Sequence, residues 1–132
     1  MNKYGYYDHI DEGAIKDFVS VGQLIYLVPD GNSARYIKDD IYNHVKEMKV
    51  SKVGRKYFHL EGDDFNKYGS RRGYISDISN YSAECFIFLS KKDLENFKKH
   101  EELDKCLEKI KHKMNTMTIE DKVIIANVLN NY

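Results

Sequence analysis

The spacing of apolar residues changes at Ser90, and this change limits the folds that the chain can adopt. Before Ser90, short alternating or β-branched runs are separated by turn residues, whereas after it leucine and isoleucine recur every three or four positions. Strands that follow one another without intervening helices pair as antiparallel neighbours. The sequence therefore predicts an α+β fold, with a small, strongly curved antiparallel β-barrel-like sheet followed by two C-terminal amphipathic helices.

The predicted organisation is a single domain. A length of 132 residues suits one hydrophobic core, and 42% apolar residues, with eleven Tyr and six Phe, are enough to fill it. No linker is long enough to separate domains. The chain divides into an N-terminal arm over residues 1–18, a β-barrel-like part over residues 19–90 and a helical part over residues 91–130.

Turn residues mark the strands of the barrel-like part. Gly54 lies between two alternating runs, and glycine supplies the positive φ that a tight reversal needs, so these runs predict a β-hairpin. The pattern predicts strands over residues 21–29, 42–53, 56–61 and 85–89, one or two short strands around Phe65 and residues 74–78, and turns over residues 62–64 and 68–73.

Two capping patterns predict where the helices begin. Ser90 precedes Asp93 by three residues, and Thr118 precedes Asp121 by three residues, as the free amides of a helix start require. The second helix is predicted to end near Asn130. We expect the first helix to dock on the barrel through an apolar stripe formed by Leu94, Phe97, Leu103, Leu107, Ile110 and Met114.

Composition indicates a chain that stays where it is made. Acidic and basic residues balance at 21 each, so the protein has no net charge that would attract it to nucleic acid or to a membrane surface. No apolar run approaches the roughly 18 residues that span a bilayer, and the N-terminus lacks a basic region followed by an apolar stretch. We expect a cytoplasmic protein with no membrane partner.

The two cysteines are predicted to be reduced and structural. Cys85 and Cys106 lack C-x-x-C spacing, and each falls in a segment that the pattern predicts to be buried or half-buried. A disulfide and a reactive thiol are the alternatives.

The sequence lacks the motifs that enzymes and metal sites need. The five histidines are scattered, and there is no glycine-rich phosphate loop and no strained glycine turn around a nucleophile. We expect no catalytic, metal-binding or cofactor-binding residue, no cofactor and no enzymatic activity. An enzyme that depends on His59, Asp63 or Asp64 is the remaining alternative.

Positive charge is concentrated in residues 46–72, where eight basic residues stand against four acidic ones. Tyr57, Phe65 and Tyr68 lie among them, and cations beside aromatic rings suit single-stranded nucleic acid or an acidic protein surface. A plain solvent-exposed strand face is the alternative. The candidate partner-binding residues in and beside this segment are Lys49, Lys52, Arg55, Lys56, Tyr57, Arg71 and Arg72.

Tyrosines also make the N-terminal arm a candidate contact surface. Tyr6 and Tyr7 lie close to Asp8, Asp11 and Glu12, and tyrosine is favoured at interfaces because it joins a large apolar ring to a hydrogen-bonding tip. Packing against the barrel, or disorder, is the alternative for these two residues.

Residues 21–60 resemble a known family. The order of three blocks carries the likeness: Val21-Gly22-Gln23 with the run to Pro29, then Gly31-Asn32-Ser33-Ala34-Arg35, then Val50-Ser51-Lys52-Val53-Gly54-Arg55-Lys56-Tyr57-Phe58. These resemble small β-barrel accessory proteins of unknown activity from phages and prophages of low-GC Gram-positive bacteria. The resemblance transfers no catalytic residue. It implies phage accessory genes, whose products often block host defence or retune host machinery.

These observations lead to a functional hypothesis. We expect a non-enzymatic interaction protein of phage or mobile-element origin that inhibits a host defence system, such as a CRISPR nuclease, by occluding a surface of that assembly in the host cytoplasm. The alternative is a small RNA- or DNA-binding module that uses the basic hairpin around residues 46–72. The sequence leaves the oligomeric state open.

Overall fold

The computed structural model describes residues 15–71, 74–79 and 85–132. This part of the chain contains six strands and three α-helices, joined by turns and short 3₁₀ segments. The strands are β1 Leu24–Pro29, β2 Lys46–Val53, β3 Tyr57–Leu60, β4 Asp63–Arg71, β5 Tyr74–Asp77 and β6 Cys85–Phe88, and the helices are α1 Ile15–Phe18, α2 Lys91–Lys113 and α3 Ile119–Leu129.

The six strands form one antiparallel sheet in the order β5-β4-β3-β2-β1-β6. Each strand from β1 to β4 pairs with the next along the chain, and β6 returns to the free side of β1. The two edge strands, β5 and β6, approach each other to within 8 Å between Cα atoms, so that the sheet nearly closes on itself. The predicted α+β fold, with a barrel-like antiparallel sheet followed by helices, is confirmed.

Strand β1 is buried on both faces, which explains why its sequence is apolar throughout. Ile25 points into the barrel, and Val28 points outward; both are fully buried. The same division holds on β6, where Ile87 lies inside the barrel and Phe88 lies outside it. A continuous apolar run, and not an alternating one, is what such a doubly covered strand requires.

The barrel interior is closed at one place by α1. This single helical turn buries Ile15, and Val19 directly after it is also buried. The residues of this turn belong to the end of the predicted N-terminal arm, and the structure describes the arm from Ile15 onward. The buried residues of this inner core are Ile15, Val19, Ile25, Val50, Phe58, Leu60, Tyr68, Ile75, Ile87 and Leu89.

A second core lies on the outer face of β1 and β6. The first two turns of α2 contribute Leu94 and Phe97, and the Phe97 ring lies 5.2 Å from the Phe88 ring between centroids. The helix starts at the predicted cap, because the Asp93 amide donates to Ser90 Oγ at 3.1 Å. Edge-to-face and tilted aromatic pairs of this kind add to the stabilisation that burial supplies.

The predicted turn over residues 68–73 is wrong for its first part. Strand β4 runs without a break from Asp63 to Arg71, and Gly69 lies inside it, paired with Tyr57 on one side and Ser76 on the other. Glycine is needed there because the neighbouring chain comes close, as described below. The predicted turn near Gly62 is confirmed at that residue, whose φ of 78° closes the short β3–β4 connection.

The chain divides into two compact units between Lys98 and Lys99, within α2. The second unit contains the rest of α2, the 3₁₀ turn Met114–Thr116 and α3. Helix α3 begins at its predicted cap, since the Asp121 amide donates to Thr118 Oγ1 at 3.2 Å. Among the described residues, no helix is long and apolar enough to cross a membrane.

The apolar stripe of α2 is buried only over its first two turns. The predicted docking is confirmed for Leu94 and Phe97, but Leu103 and Leu107 are 49% and 58% exposed, and Met114 is half exposed. For these three residues the predicted burial is wrong, because the described apolar clusters include none of them. Cys106 is likewise exposed and not buried as predicted, whereas Cys85 is half-buried, and the two do not form a disulfide.

Candidate nucleic-acid interface

The outer face of β2 carries lysines because of a β-bulge. Val50 pairs with Leu60, and Lys52 pairs with His59, so that two steps along β2 match one step along β3. The extra residue is Ser51. Lys49 and Lys52 are three residues apart and would face opposite sides of a regular strand, but the bulge brings both to the outer face.

Tyr57 stands on the same outer face, one strand further along the sheet. It pairs with Gly69 of β4, and its side chain is 37% exposed. A Cβ atom at position 69 would lie 3.1 Å from Tyr57 Cδ1, so the ring rests against the bare backbone of Gly69. The ammonium group of Lys67, on β4, lies 5.6 Å from the centre of the Tyr57 ring.

The β2–β3 turn adds two further cations at the end of this face. The Gly54 amide donates to the Tyr57 carbonyl oxygen at 2.7 Å, which closes the turn, and Arg55 and Lys56 are exposed within it. The resulting surface combines five basic side chains with one aromatic ring. We call it the basic face and define it by Lys49, Lys52, Arg55, Lys56, Tyr57 and Lys67.

The structure brings five of the predicted partner-binding residues together on the β2–β3 hairpin. These are Lys49, Lys52, Arg55, Lys56 and Tyr57. Arg71 is the last residue of β4, and its side chain is not among those that the structure describes. Arg72, Tyr6 and Tyr7 lie outside the described residues, so the structure places none of them.

Two aromatic residues were predicted to accompany Tyr57, and one of them points the other way. Tyr68 is buried inside the barrel, where its ring stacks on Phe58 with 5.6 Å between centroids. The side chain of Phe65 is not among those described. Lys67 was not predicted from the sequence as a contact residue. Lys67 and Gly69 are two residues apart and therefore lie on the same face of β4, and this spacing could have indicated that Lys67 is close to Tyr57.

Asp63 is held in a hydrogen-bond network beside this face. Its carboxylate accepts hydrogen bonds from the Tyr68 hydroxyl at 2.6 Å and from the Asn66 amide at 2.9 and 3.0 Å. These two donors hold the pKa of Asp63 below its usual value, while burial and the nearby Asp63 charge raise the pKa of Tyr68. The network ties the Asp63 carboxylate at the start of β4 to Asn66 and Tyr68 of the same strand.

The remaining chemistry of the described residues is limited. Asp39 accepts a hydrogen bond from, or forms an ion pair with, the His44 imidazole at 2.8 Å, and the two groups lie on the exposed loop before β2. Within residues 15–71, 74–79 and 85–132, no three histidine, cysteine or acidic side chains converge as ligands for a metal ion.

Comparison with known proteins identifies a family. The model of the Phage ProQ C-terminal-like domain matches residues 1–132 of the chain. No curated protein and no solved structure gives a significant match. The family match confirms the phage affiliation that the resemblance of residues 21–60 implied.

Proposed function

The chain belongs to the Phage ProQ C-terminal-like domain family and is a phage protein, and we propose that it is a non-enzymatic binding protein that holds single-stranded nucleic acid on the basic face. The face supplies cations for phosphate oxygens and an aromatic ring on which one base stacks. Binding takes place in the cytoplasm of the host cell. The protein contributes contact and shape, and it needs no cofactor for this activity.

The observation that carries this proposal is the exposed ring of Tyr57, which contacts the backbone of Gly69 and has the Lys67 ammonium 5.6 Å from its centre. The glycine backbone lies against the ring, at a distance that a side chain at position 69 would not allow. The Lys67 ammonium lies over the ring in the unbound chain. Because a lysine side chain is flexible, Lys67 can move to a phosphate and leave the ring to a base.

The arrangement of the other cations suits an extended backbone of phosphates. Lys49 and Lys52 follow β2 on its outer face, and Arg55 lies at the turn that β2 leads into. A single strand laid along β2 from Lys49 to the turn would therefore meet three positive charges on one side of the stacking ring, while the exposed Glu47 precedes Lys49 on the same face. Cations placed along a groove or face in this way, with an aromatic platform among them, are typical of proteins that bind single strands without reading sequence.

Fluorescence anisotropy with a labelled single-stranded oligonucleotide tests the proposal. Base stacking on an aromatic side chain is worth about 1–3 kcal/mol, so we expect Tyr57→Ala to raise Kd by about five- to a hundredfold. Tyr36→Ala is the matched control, because Tyr36 is 83% exposed and has the Arg35 guanidinium 5.6 Å from its ring centre, but lies outside the basic face. Equal losses for the two variants would contradict the assignment of the site.

Occlusion of a host defence assembly, the function that the sequence led us to expect first, is the second candidate. The observation that favours it is the exposure of Val21 and Leu24, at 66% and 40%, beside Lys49, with which Leu24 pairs. Protein interfaces bury aliphatic side chains of this kind, whereas phosphates do not contact them. Stoichiometric binding to a purified defence nuclease, with loss of its cleavage activity, would support this function; the uncharged substitution Leu24→Ala should then weaken inhibition and leave oligonucleotide binding unchanged.

A further inference from the structure

The second half of α2 presents an apolar stripe to solvent. Leu103 and Leu107 of α2, and Met114 at the start of the 3₁₀ turn that follows it, are each about half exposed, and Ile110 lies between them on the same stripe, half-buried. Five apolar side chains of α3 are each more than half exposed as well. Leucine and isoleucine side chains in this number are normally covered in a stable protein.

The spacing within the stripe is that of a coiled-coil seam. Successive members are separated by four, three and four residues, from Leu103 through Leu107 and Ile110 to Met114. In heptad notation Leu107 and Met114 occupy a positions, and Leu103 and Ile110 occupy d positions. The residues that flank the seam at e positions are then Asp104 and Lys111, which are both exposed.

The charges beside the seam match those of a second copy of the same helix in the opposite direction. Antiparallel pairing places Leu103 opposite Met114 of the other copy and Leu107 opposite its Ile110. Asp104 of each copy then faces Lys111 of the other, which gives two opposite-charge pairs. Parallel pairing would instead gather Lys109, Lys111 and Lys113 of both copies at one end, where they repel.

The exposed stripe and the opposite charges beside it therefore suit a second copy of the same helix as the partner. We propose that residues 103–114 pair with the same residues of a second copy of this chain, as an antiparallel coiled coil. This self-association is independent of nucleic-acid binding on the basic face.

Sedimentation equilibrium of the full chain tests the pairing. The chain should form a dimer, and Leu107→Glu should weaken the dimer by at least about a hundredfold, because two apolar layers lose a member and gain a charge. Circular dichroism of the variant should be unchanged, since Leu107 is exposed in the single chain. A chain that stays monomeric at its highest soluble concentration, or a dimer that Leu107→Glu leaves intact, would overturn the proposal.

Charge reversal tests the antiparallel direction. Asp104→Lys alone, or Lys111→Asp alone, converts both attractive pairs into repulsive ones, so each should weaken the dimer by about tenfold. An equimolar mixture of the two variants should associate as tightly as the original chain, because every pair is then opposite in sign. Lys105→Asp is the matched control on the outside of the helix, with little expected effect. A mixture that associates no better than its components would overturn the antiparallel arrangement.

Discussion

Tyr57 and Gly69 are cross-strand partners whose contact leaves no room for a second side chain. A Cβ atom at position 69 would lie 3.1 Å from Tyr57 Cδ1 and 2.8 Å from the Lys56 carbonyl oxygen. Real Cβ atoms do not approach a backbone oxygen this closely, so the two strands can lie at this distance only with glycine at position 69. The orientation of the exposed ring therefore depends on a residue that has no side chain.

Gly69→Ala should destabilise the fold. The backbone oxygen of Lys56 cannot move without disturbing the β3–β4 pairing, so we expect a loss of about 1–3 kcal/mol in the free energy of unfolding, measured with urea. Gly54→Ala is the matched control, because a Cβ atom there would meet the Tyr57 carbonyl oxygen at 3.3 Å and needs a shift of only a few tenths of an ångström. A Gly69→Ala protein as stable as the original would contradict the close approach.

Tyr68→Phe should change how stability depends on pH. The Tyr68 hydroxyl is the main cause of the lowered pKa of Asp63, so the folded chain holds the ionised carboxylate better than the unfolded chain does. Asp63 therefore contributes stability above its unfolded pKa, near the ordinary value of 3.8, and this contribution is lost as pH falls through the lower folded pKa. In Tyr68→Phe, which lacks the hydroxyl, Asp63 should contribute less to the free energy of unfolding at neutral pH.

Urea unfolding between pH 2 and pH 7 measures this effect. The difference in stability between Tyr68→Phe and the original chain should be largest near neutral pH and should narrow toward acid. Glu95→Gln, on the exposed side of α2, is the control, and it should leave the fall in stability at acidic pH unchanged. A constant difference across the whole pH range would show that the Tyr68 hydroxyl does not act through the Asp63 charge.

The two halves of α2 should differ in their importance for folding. Leu94 is 9% exposed in the outer core, and Leu103 is 49% exposed nine residues later in the same helix. Leu94→Ala should cost about 2–4 kcal/mol in the free energy of unfolding, and Leu103→Ala less than about 0.5 kcal/mol at a protein concentration low enough to keep the chain monomeric. Equal costs would mean that Leu103 is buried in the single chain.

Much of the fold follows from the sequence because local signals and tertiary packing agree. The helix starts at Ser90 and Thr118 were predicted from capping chemistry, which acts over a few residues. The hairpin around Gly54 is confirmed, but the positive φ expected of Gly54 is wrong, because the described glycines with positive φ are Gly22, Gly31 and Gly62. The apolar runs of β1 and β6 were also recognised, although the reason for their composition, a covered face on each side, appears only in the structure.

The remaining features depend on contacts between residues far apart in the sequence. Gly69 has the pattern of a turn residue but lies inside a strand, because Tyr57 approaches it from β3. The bulge at Ser51 decides which lysines share a face of β2, and the local sequence pattern does not predict the bulge. Tyr68 was taken as a surface ring, but a hydrogen bond from its hydroxyl to Asp63 satisfies its polar end and allows burial.

The salt dependence of single-strand binding tests the central claim most directly. Kd for an oligonucleotide should rise steeply with salt, and Lys49→Ala/Lys52→Ala should reduce the slope of log Kd against log salt by about 1.4, since each lost phosphate contact contributes about 0.7. Lys105→Ala/Lys109→Ala, two exposed lysines of α2, should leave the slope unchanged. Equal slopes for the two double variants, or no binding at low salt, would contradict the assignment of nucleic-acid binding to the basic face.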